Sequence, residues 1–398
     1  MLGWELPPHN SGGLGVACYQ LCQALASRDD IDLEFVLPYD ADHGIDFMKI
    51  RAAVPQDVEH VIAAGGIYDS YLYKYVDGHE EWQDIYGQAR MFEEAVARLA
   101  YAMEFDVVHA HDWLTFRAAL RLKEATGCPI ILHVHALESD RAGGNRGNPL
   151  VHEIEAEALA LADQIVAVSE LTKRAIVRDY GIDPAKIMVI HNSLDWSNME
   201  PLDDENSYRY LEQMKSQGWR VVSNIGRLTM QKGLTSLLQA AAEVVKRAPK
   251  TIFLIVGNGD QYYELIELAA SLGIGKNVIF ADFQRGKRWR DAFAIADLFV
   301  MPSVSEPFGL TPLEATVYGA PSLITHQSGV SEILHNCLKV DFWDTHEMAN
   351  QILAVVNHDA LKQELAMGAK RELASTSWHK AAEGFNNLYR QHAQGAMA

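Results

Sequence analysis

The sequence is short of cysteine, of long apolar runs and of positive charge, and each shortage excludes something. Its 4 cysteines (Cys18, Cys22, Cys128 and Cys337) form no Cys-x-x-Cys pair and are too sparse for a disulfide framework. Reduced thiols in a cytoplasmic protein are therefore expected. No stretch reaches the ~18 consecutive apolar residues that a spanning helix needs. The opening Met1-Leu2-Gly3-Trp4-Glu5 lacks the basic and apolar regions of a secretory leader. Basic residues number 34 against 53 acidic ones, a net charge of −19. That field repels phosphate at long range and argues against a nucleic-acid binder or a broad anionic-membrane footprint. A local basic pocket for one phosphorylated ligand stays open.

What is present reads as an α/β protein. At 398 residues, the chain has material for two or three domains. Strands are expected over Ile31–Pro38, Asp106–His109, Pro129–His135, Gln164–Val168 and Ile187–His191, after a very short first strand that turns at Pro7-Pro8. Amphipathic segments lie between them: Gly13–Ala26, Met91–Met103, Leu114–Ala125, Pro149–Leu161 and Leu171–Tyr180. This alternation reads as a parallel sheet covered on both faces. Pro201-Leu202-Asp203-Asp204-Glu205-Asn206 is polar and aperiodic, as a linker would be. The alternation then restarts at Arg220–Ile225 and runs through Ser322–Thr325 to helices beyond Glu347. We expect a first domain over 1–200, a linker over 201–216, a second domain over 217–376 and a terminal amphipathic helix over 377–398. Ligands are expected at the carboxyl ends of the strands, in a cleft between two facing doubly wound domains.

Three motifs fall at such strand ends. Gly12-Gly13-Leu14-Gly15 opens a helix, where backbone N–H groups and the helix dipole suit an anion. Arg227 and Lys232 lie in a strand-to-helix turn, a guanidinium and an ammonium placed for a diphosphate. Glu306-Pro307-Phe308-Gly309-Leu310-Thr311-Pro312-Leu313-Glu314 carries one carboxylate in the loop and one inside the helix that begins near Thr311. Carboxylates accept sugar hydroxyls, and the Gly309 and Leu310 amides face an anion or a sugar oxygen. The pairs His109-Ala110-His111 and His133-Val134-His135 put two imidazoles on one face of each strand. Metal ligation is weighed there and set aside for want of a third ligand set; hydrogen bonding to a substrate is the expected use. Asp40-Ala41-Asp42 is a chance match to a metal–diphosphate clamp, Cys18 and Cys22 are packing residues, and the basic run Arg285–Arg290 is a solvated helix start.

Taken together, these residues resemble the GT-B retaining glycosyltransferases (glycosyl transferases group 1, family 4). The resemblance rests on Gly-Gly-Leu-Gly at 12–15, His-Ala-His-Asp-Trp at 109–113, Gly-Arg-x5-Lys-Gly at 226–233, Val-Gly-Asn-Gly at 256–259 and Glu-x7-Glu at 306–314. The His-Asp-Trp and Glu-Pro-Phe-Gly strings are similar to the glycogen synthase and sucrose-phosphate synthase branch. The resemblance implies that Arg227 and Lys232 hold the donor diphosphate. Glu314 would meet the ribose, Glu306 a hydroxyl of the donor sugar, and Phe308, Gly309, Leu310 and Thr311 the sugar's surroundings. Gly257 and the backbone around Phe283 would lie at the nucleotide, Gly12–Gly15 at the phosphate or sugar, and His135 beside the transferred sugar. His111 and Asp112 would face the acceptor, and the last helix would cross back to the first domain.

The implied activity is retaining transfer of a hexose, with glucose expected, from a nucleotide diphosphate sugar to a hydroxyl acceptor such as an α-glucan. No cofactor or metal is expected, so activity should survive chelation. A small acceptor, as in sucrose-phosphate synthases, is the first alternative. A phosphorylase, a nucleotide-sugar epimerase, a metal-dependent hydrolase and a non-catalytic sugar binder are the rivals from other classes.

Overall fold

The apolar runs assemble into two parallel sheets in the computed structural model, which describes residues 1–10, 12–63, 71–196 and 199–396. The chain divides into two units. Met1–Glu138, Arg146–Ser193 and Trp378–Ala398 form the first; Ser139–Asn145 and Leu194–Ser377 form the second.

The chain opens with α1 (Gly13–Ala26), β1 (Glu34–Leu37) and β2 (Lys49–Ala52), followed by β3 (Val58–Ala63), β4 (Tyr71–Tyr75) and β5 (Glu80–Gln83). Next come α2 (Ile85–Leu99), β6 (Val108–His111), α3 (Trp113–Thr126), β7 (Ile130–Val134) and α4 (Glu138–Arg141). The run ends with α5 (Pro149–Leu161), β8 (Gln164–Ala167), α6 (Glu170–Tyr180) and β9 (Ile187–Val189). Strands β6 to β9 pair in sequence order, all parallel, and β1 pairs with β2. The gap between β1 and β6 is filled by the first three residues. Leu2 N–H donates to His109 O at 2.8 Å and its carbonyl accepts from His111 N–H at 3.1 Å, while Val36 N–H donates to Met1 O at 2.9 Å. The very short first strand thus has a definite seat. Counted as a strand, it marks the place where the strand order reverses.

Alternation along β6 and β7 sorts the core into two layers. Val108, Ala110, Ile130 and Leu132 face Phe92, Phe116 and Ile154 of α2, α3 and α5. Ile131 faces the other way, into a cluster with Leu21 and Leu25 of α1. Strands β3, β4 and β5 form a separate antiparallel sheet that the sequence reading left without structure. Its signal was there: alternating Tyr71, Tyr73 and Tyr75, then an Asp77-Gly78 turn. Helix α2 also begins earlier than expected, at Ile85, capped by the Asp84 side chain.

The second unit contains α7 (Arg209–Ser216), β10 (Arg220–Ile225), α8 (Leu234–Arg247), β11 (Thr251–Val256), α9 (Tyr262–Ser271) and β12 (Val278–Phe280). It continues through α10 (Gly286–Ala294), β13 (Leu298–Met301), α11 (Thr311–Val317), β14 (Ser322–Thr325), β15 (Leu338–Val340), α12 (Thr345–Asn357) and α13 (Asp359–Leu373). The expected linker therefore carries a helix over its second half. The sheet order is β12-β11-β10-β13-β14-β15, parallel throughout. Order reverses between β10 and β13, the place on an open parallel sheet where ligands bind at the carboxyl ends of the strands. Leu234, Leu237 and Leu238 of α8 and Met348 and Ile352 of α12 bury one face of the sheet.

Helix α14 (Trp378–Ala396) closes the chain and belongs to the first unit; the expected end of this helix at Ala398 lies outside the described residues. Trp378, Phe385 and Leu388 bury against α1 in the cluster of Leu21 and Leu25. Trp378 Nε1 donates to Gln20 Oε1 at 2.6 Å. Phe385 is 1% exposed, so Phe385→Ala is expected to destabilise the protein by about 3–5 kcal/mol. Denaturant unfolding measures it; a loss below about 1 kcal/mol would show that α14 adds little to this core.

Candidate active site

Loops at the carboxyl ends of β10, β11, β12 and β13 meet one another in the second unit. Gly226 N–H donates to Val256 O at 3.0 Å, Leu228 N–H to Asn258 O at 2.9 Å and Gly257 N–H to Asp282 O at 2.8 Å. On the other side, Val304 N–H donates to Gln231 O at 2.8 Å, and Gln231 Nε2 to Ser305 O at 3.0 Å. This closeness dictates two glycines. A Cβ on Gly257, at φ +146°, would stand 1.8 Å from Gly226 O, and one on Gly233, at φ +67°, would stand 2.0 Å from Pro302 O. No other residue type fits either position.

The pinned loops bring Lys232 and Glu306 together. Lys232 Nζ donates to Glu306 Oε2 at 2.5 Å, and Ser303 Oγ donates to the same oxygen at 3.0 Å. Glu306 is 8% exposed, and its second oxygen has no protein partner among the described residues. Its backbone is also fixed, since Glu306 N–H donates to Gln327 O and Gly329 N–H to Glu306 O, both at 2.9 Å. Arg227 stands exposed in the same loop, its guanidinium unpaired among the described residues. The N–H groups of Gly309 and Leu310 precede α11 and engage no acceptor among the described residues. The result is an anchored carboxylate bound to an ammonium and close to open amides, with an unpaired guanidinium on the ammonium's own loop.

The remaining expected residues divide. Glu314 lies one turn into α11, partly exposed at its rim, and burial pushes its carboxyl up to about 7 from 4.5. Phe283, in the loop after β12, is 57% exposed, with the Arg285 guanidinium 5.2 Å from its ring centre. An exposed aromatic with a free face suits a stacked base. Phe308 is 3% exposed and its carbonyl accepts from Val330 N–H, so its ring packs inward and supports the loop. The Thr311 hydroxyl is likewise turned toward Met301 Sδ, at 3.5 Å.

In the first unit several of the expected residues already have protein partners. Gly12 caps α1 and Gly13 and Leu14 open it, but Gly15 N–H donates to Glu5 Oε1 at 3.0 Å. The Gly15 amide is spent on a buried carboxylate and is not available to a phosphate. Asp112 caps α3 at φ 59°, a conformation costly for a residue with a side chain. Its Oδ1 accepts from His135 N–H at 2.7 Å and Ala136 N–H at 3.2 Å. Asp112 is 5% exposed and clamps the end of β7. His111 is fully buried and shares a 3.0 Å hydrogen bond with His135, Nδ1 to Nε2. Of the four histidines, His135 alone is partly exposed.

Sequence reasoning missed Glu5 and Ser303. Ser303 left no signal, because its use depends on a loop contact. It also missed that the two His-x-His pairs converge: His111 and His133 are register partners on β6 and β7.

Two family models cover most of the chain. Residues 11–197 match the model described as glycosyltransferase family 4, and residues 212–372 match glycosyl transferases group 1. A D-inositol 3-phosphate glycosyltransferase of Rhodococcus erythropolis is 30% identical over 304 residues, 73% of this chain and 68% of its own. An uncharacterised glycosyltransferase of Methanocaldococcus jannaschii is 26% identical over 98% of this chain and 97% of its own. Among solved structures, a sucrose-phosphate synthase from Thermosynechococcus elongatus superposes with a TM-score of 0.74 at 19% identity, covering 98% of both chains. Anabaena HepE, solved with UDP and glucose, gives 0.74 at 18% identity over 98% of this chain and 99% of its own.

Glu314 makes a pH prediction. Between 4.5 and about 7 the folded carboxyl keeps a proton that the unfolded chain has released. Stability contributed by this group therefore falls as pH rises through that window, by up to about 3 kcal/mol. Glu314→Gln removes the titration, so the variant should gain stability over the parent from pH 5 to pH 8 when urea midpoints are compared. An equal difference at both pH values would show that the carboxyl is not held protonated.

Proposed function

The chain belongs to the group 1 glycosyltransferases, and from that premise we propose that it transfers glucose from UDP-glucose to a hydroxyl of a small phosphorylated acceptor, with retention at the anomeric carbon. The observation that carries the reading is the Lys232–Glu306 contact at the strand-order reversal, beside Arg227 and the open amides of Gly309 and Leu310.

The roles follow from charge. As the sugar–phosphate bond breaks, negative charge grows on the diphosphate. Arg227 offers two parallel N–H donors and Lys232 a point charge, already in place and needing no reorganisation. Glu306 has one oxygen engaged by Lys232 and Ser303, which leaves the other to accept a sugar hydroxyl and fix the ring. The acceptor oxygen attacks the face that the diphosphate leaves, and the departing phosphate oxygen takes the acceptor's proton. The products are the glucoside and UDP, and the protein supplies position and neutralisation. Glu314, ionised once it accepts the ribose hydroxyls, and Phe283, under the base, hold the nucleotide.

The donor assignment draws on the neighbour solved with UDP and glucose. The acceptor class draws on relatives named for D-inositol 3-phosphate and a neighbour named for sucrose phosphate, which favour a small phosphorylated hydroxyl compound over the α-glucan.

Lys232→Ala and Glu306→Ala should each lower turnover by about 10²–10³-fold while circular dichroism stays unchanged; near-normal turnover in either variant refutes its role. Because protein cations neutralise the diphosphate, turnover should be equal with and without added Mg²⁺ or Mn²⁺. Products should be read by mass spectrometry with inositol phosphate, fructose 6-phosphate and maltooligosaccharides. Transfer to the oligosaccharides alone overturns the acceptor class, and donor conversion without any acceptor points to an epimerase.

A further inference from the structure

Four imidazoles in the first unit serve no role above except through His135. Residues i and i+2 of a strand share a face, and partners in parallel register share it too. His109 and His111 on β6 therefore stand beside His133 on β7, on the face covered by α1 and α14. The three are 2%, 0% and 1% exposed. Their rings stack, with centroids 4.3 Å apart for His109–His111 and 5.2 Å for His111–His133, and Phe385 of α14 closes over His109 at 5.0 Å.

The hydrogen-bond inventory of this cluster does not close. His109 Nδ1 bonds the Tyr389 hydroxyl at 2.7 Å, and His111 Nδ1 bonds His135 Nε2 at 3.0 Å. The Nε2 atoms of His109 and His111 and both nitrogens of His133 are buried without a partner among the described residues. Each such atom has given up water with no hydrogen bond in return. One nitrogen from each of the three rings lies within 4.8 Å of the others.

We propose that the first unit binds a zinc-class divalent ion between His109, His111 and His133. Imidazole is a preferred ligand of such ions, and one ion would satisfy three orphaned nitrogens together. The second sphere is already built: with the proton on Nδ1, His109 donates to Tyr389 and His111 to His135, which leaves each Nε2 lone pair for the metal. Burial first, and the neighbouring imidazoles after it, favour the neutral, ligating form of the His109, His111 and His133 rings. Zinc–nitrogen bonds of about 2.0–2.1 Å require nitrogens that lie within 4.8 Å of one another to draw together around the ion. Cys18 and His135 form a neighbouring group that shares His111. The site is structural and separate from the diphosphate site, which lies in the second unit; because its ligands are buried, stripping it requires unfolding.

The test uses the full chain expressed in zinc-supplemented and, separately, cobalt-supplemented medium, then desalted without chelator. Elemental analysis should find zinc stoichiometric with the chain, and the cobalt form should show the ligand-field bands of a tetrahedral site. His109→Phe, which keeps the stack on Phe385, and His133→Gln should each lose the metal, whereas His152→Ala, a histidine outside the cluster stacked on Tyr180, should keep it. Should the ligand variants fail to fold, the parent chain decides alone. Metal well below stoichiometry together with a colourless cobalt form overturns the proposal and leaves the histidines as stacked core rings.

Discussion

The Lys232–Glu306 pair is the constraint on which the second unit's loops depend. The two residues are 74 apart in sequence and lie in the loops after the two strands between which the sheet order reverses. To bring a short ammonium–carboxylate contact across that divide, the loops after β10 and β13 must nearly touch. The glycine at 233 exists because the backbone at Pro302 occupies the space a side chain would need. Ser303 and the paired backbone of Glu306 then remove the carboxylate's remaining freedom. The pair is partly buried, and its net contribution to stability is small where desolvation offsets attraction. Its value lies in holding a charge in place before any ligand arrives.

Much of this was legible in the sequence because it depends on local rules. Alternating apolar runs set the strands, the position of Arg227 and Lys232 after one of them put two cations at a strand end, and the nine-residue string from Glu306 marked the other. What stayed hidden depends on contacts between distant segments. Nothing near Ser303 announces that its hydroxyl will meet Glu306. Glu5 reads as an ordinary acid until the chain folds and lays it against the Gly15 amide. The small antiparallel sheet was missed for a different reason: its strands are short and half-exposed, so a tyrosine alternation and one Asp-Gly turn were outweighed by the polar residues around them.

Sequence position places a residue at the mouth of a sheet, but burial and prior hydrogen bonds decide whether it is free to meet a ligand. Asp112, strained at positive φ, spends its carboxylate on the amides of His135 and Ala136; His111 spends a ring nitrogen on His135; Gly15 spends its amide on Glu5. These groups orient their neighbours. The residues left unpaired, Arg227 and the amides before α11 above all, are those with capacity to bind.

Helix α14 carries a consequence for how the chain is made. The apolar side of α1 is covered by Trp378, Phe385 and Leu388, residues translated more than 350 positions after α1 itself. A nascent first unit therefore emerges with that side bare and waits through synthesis of the whole second unit before its core is complete. During that interval an exposed apolar face is an invitation to aggregate, or a handle for a chaperone. The order in which the ribosome delivers the chain and the order in which its cores can close are opposed.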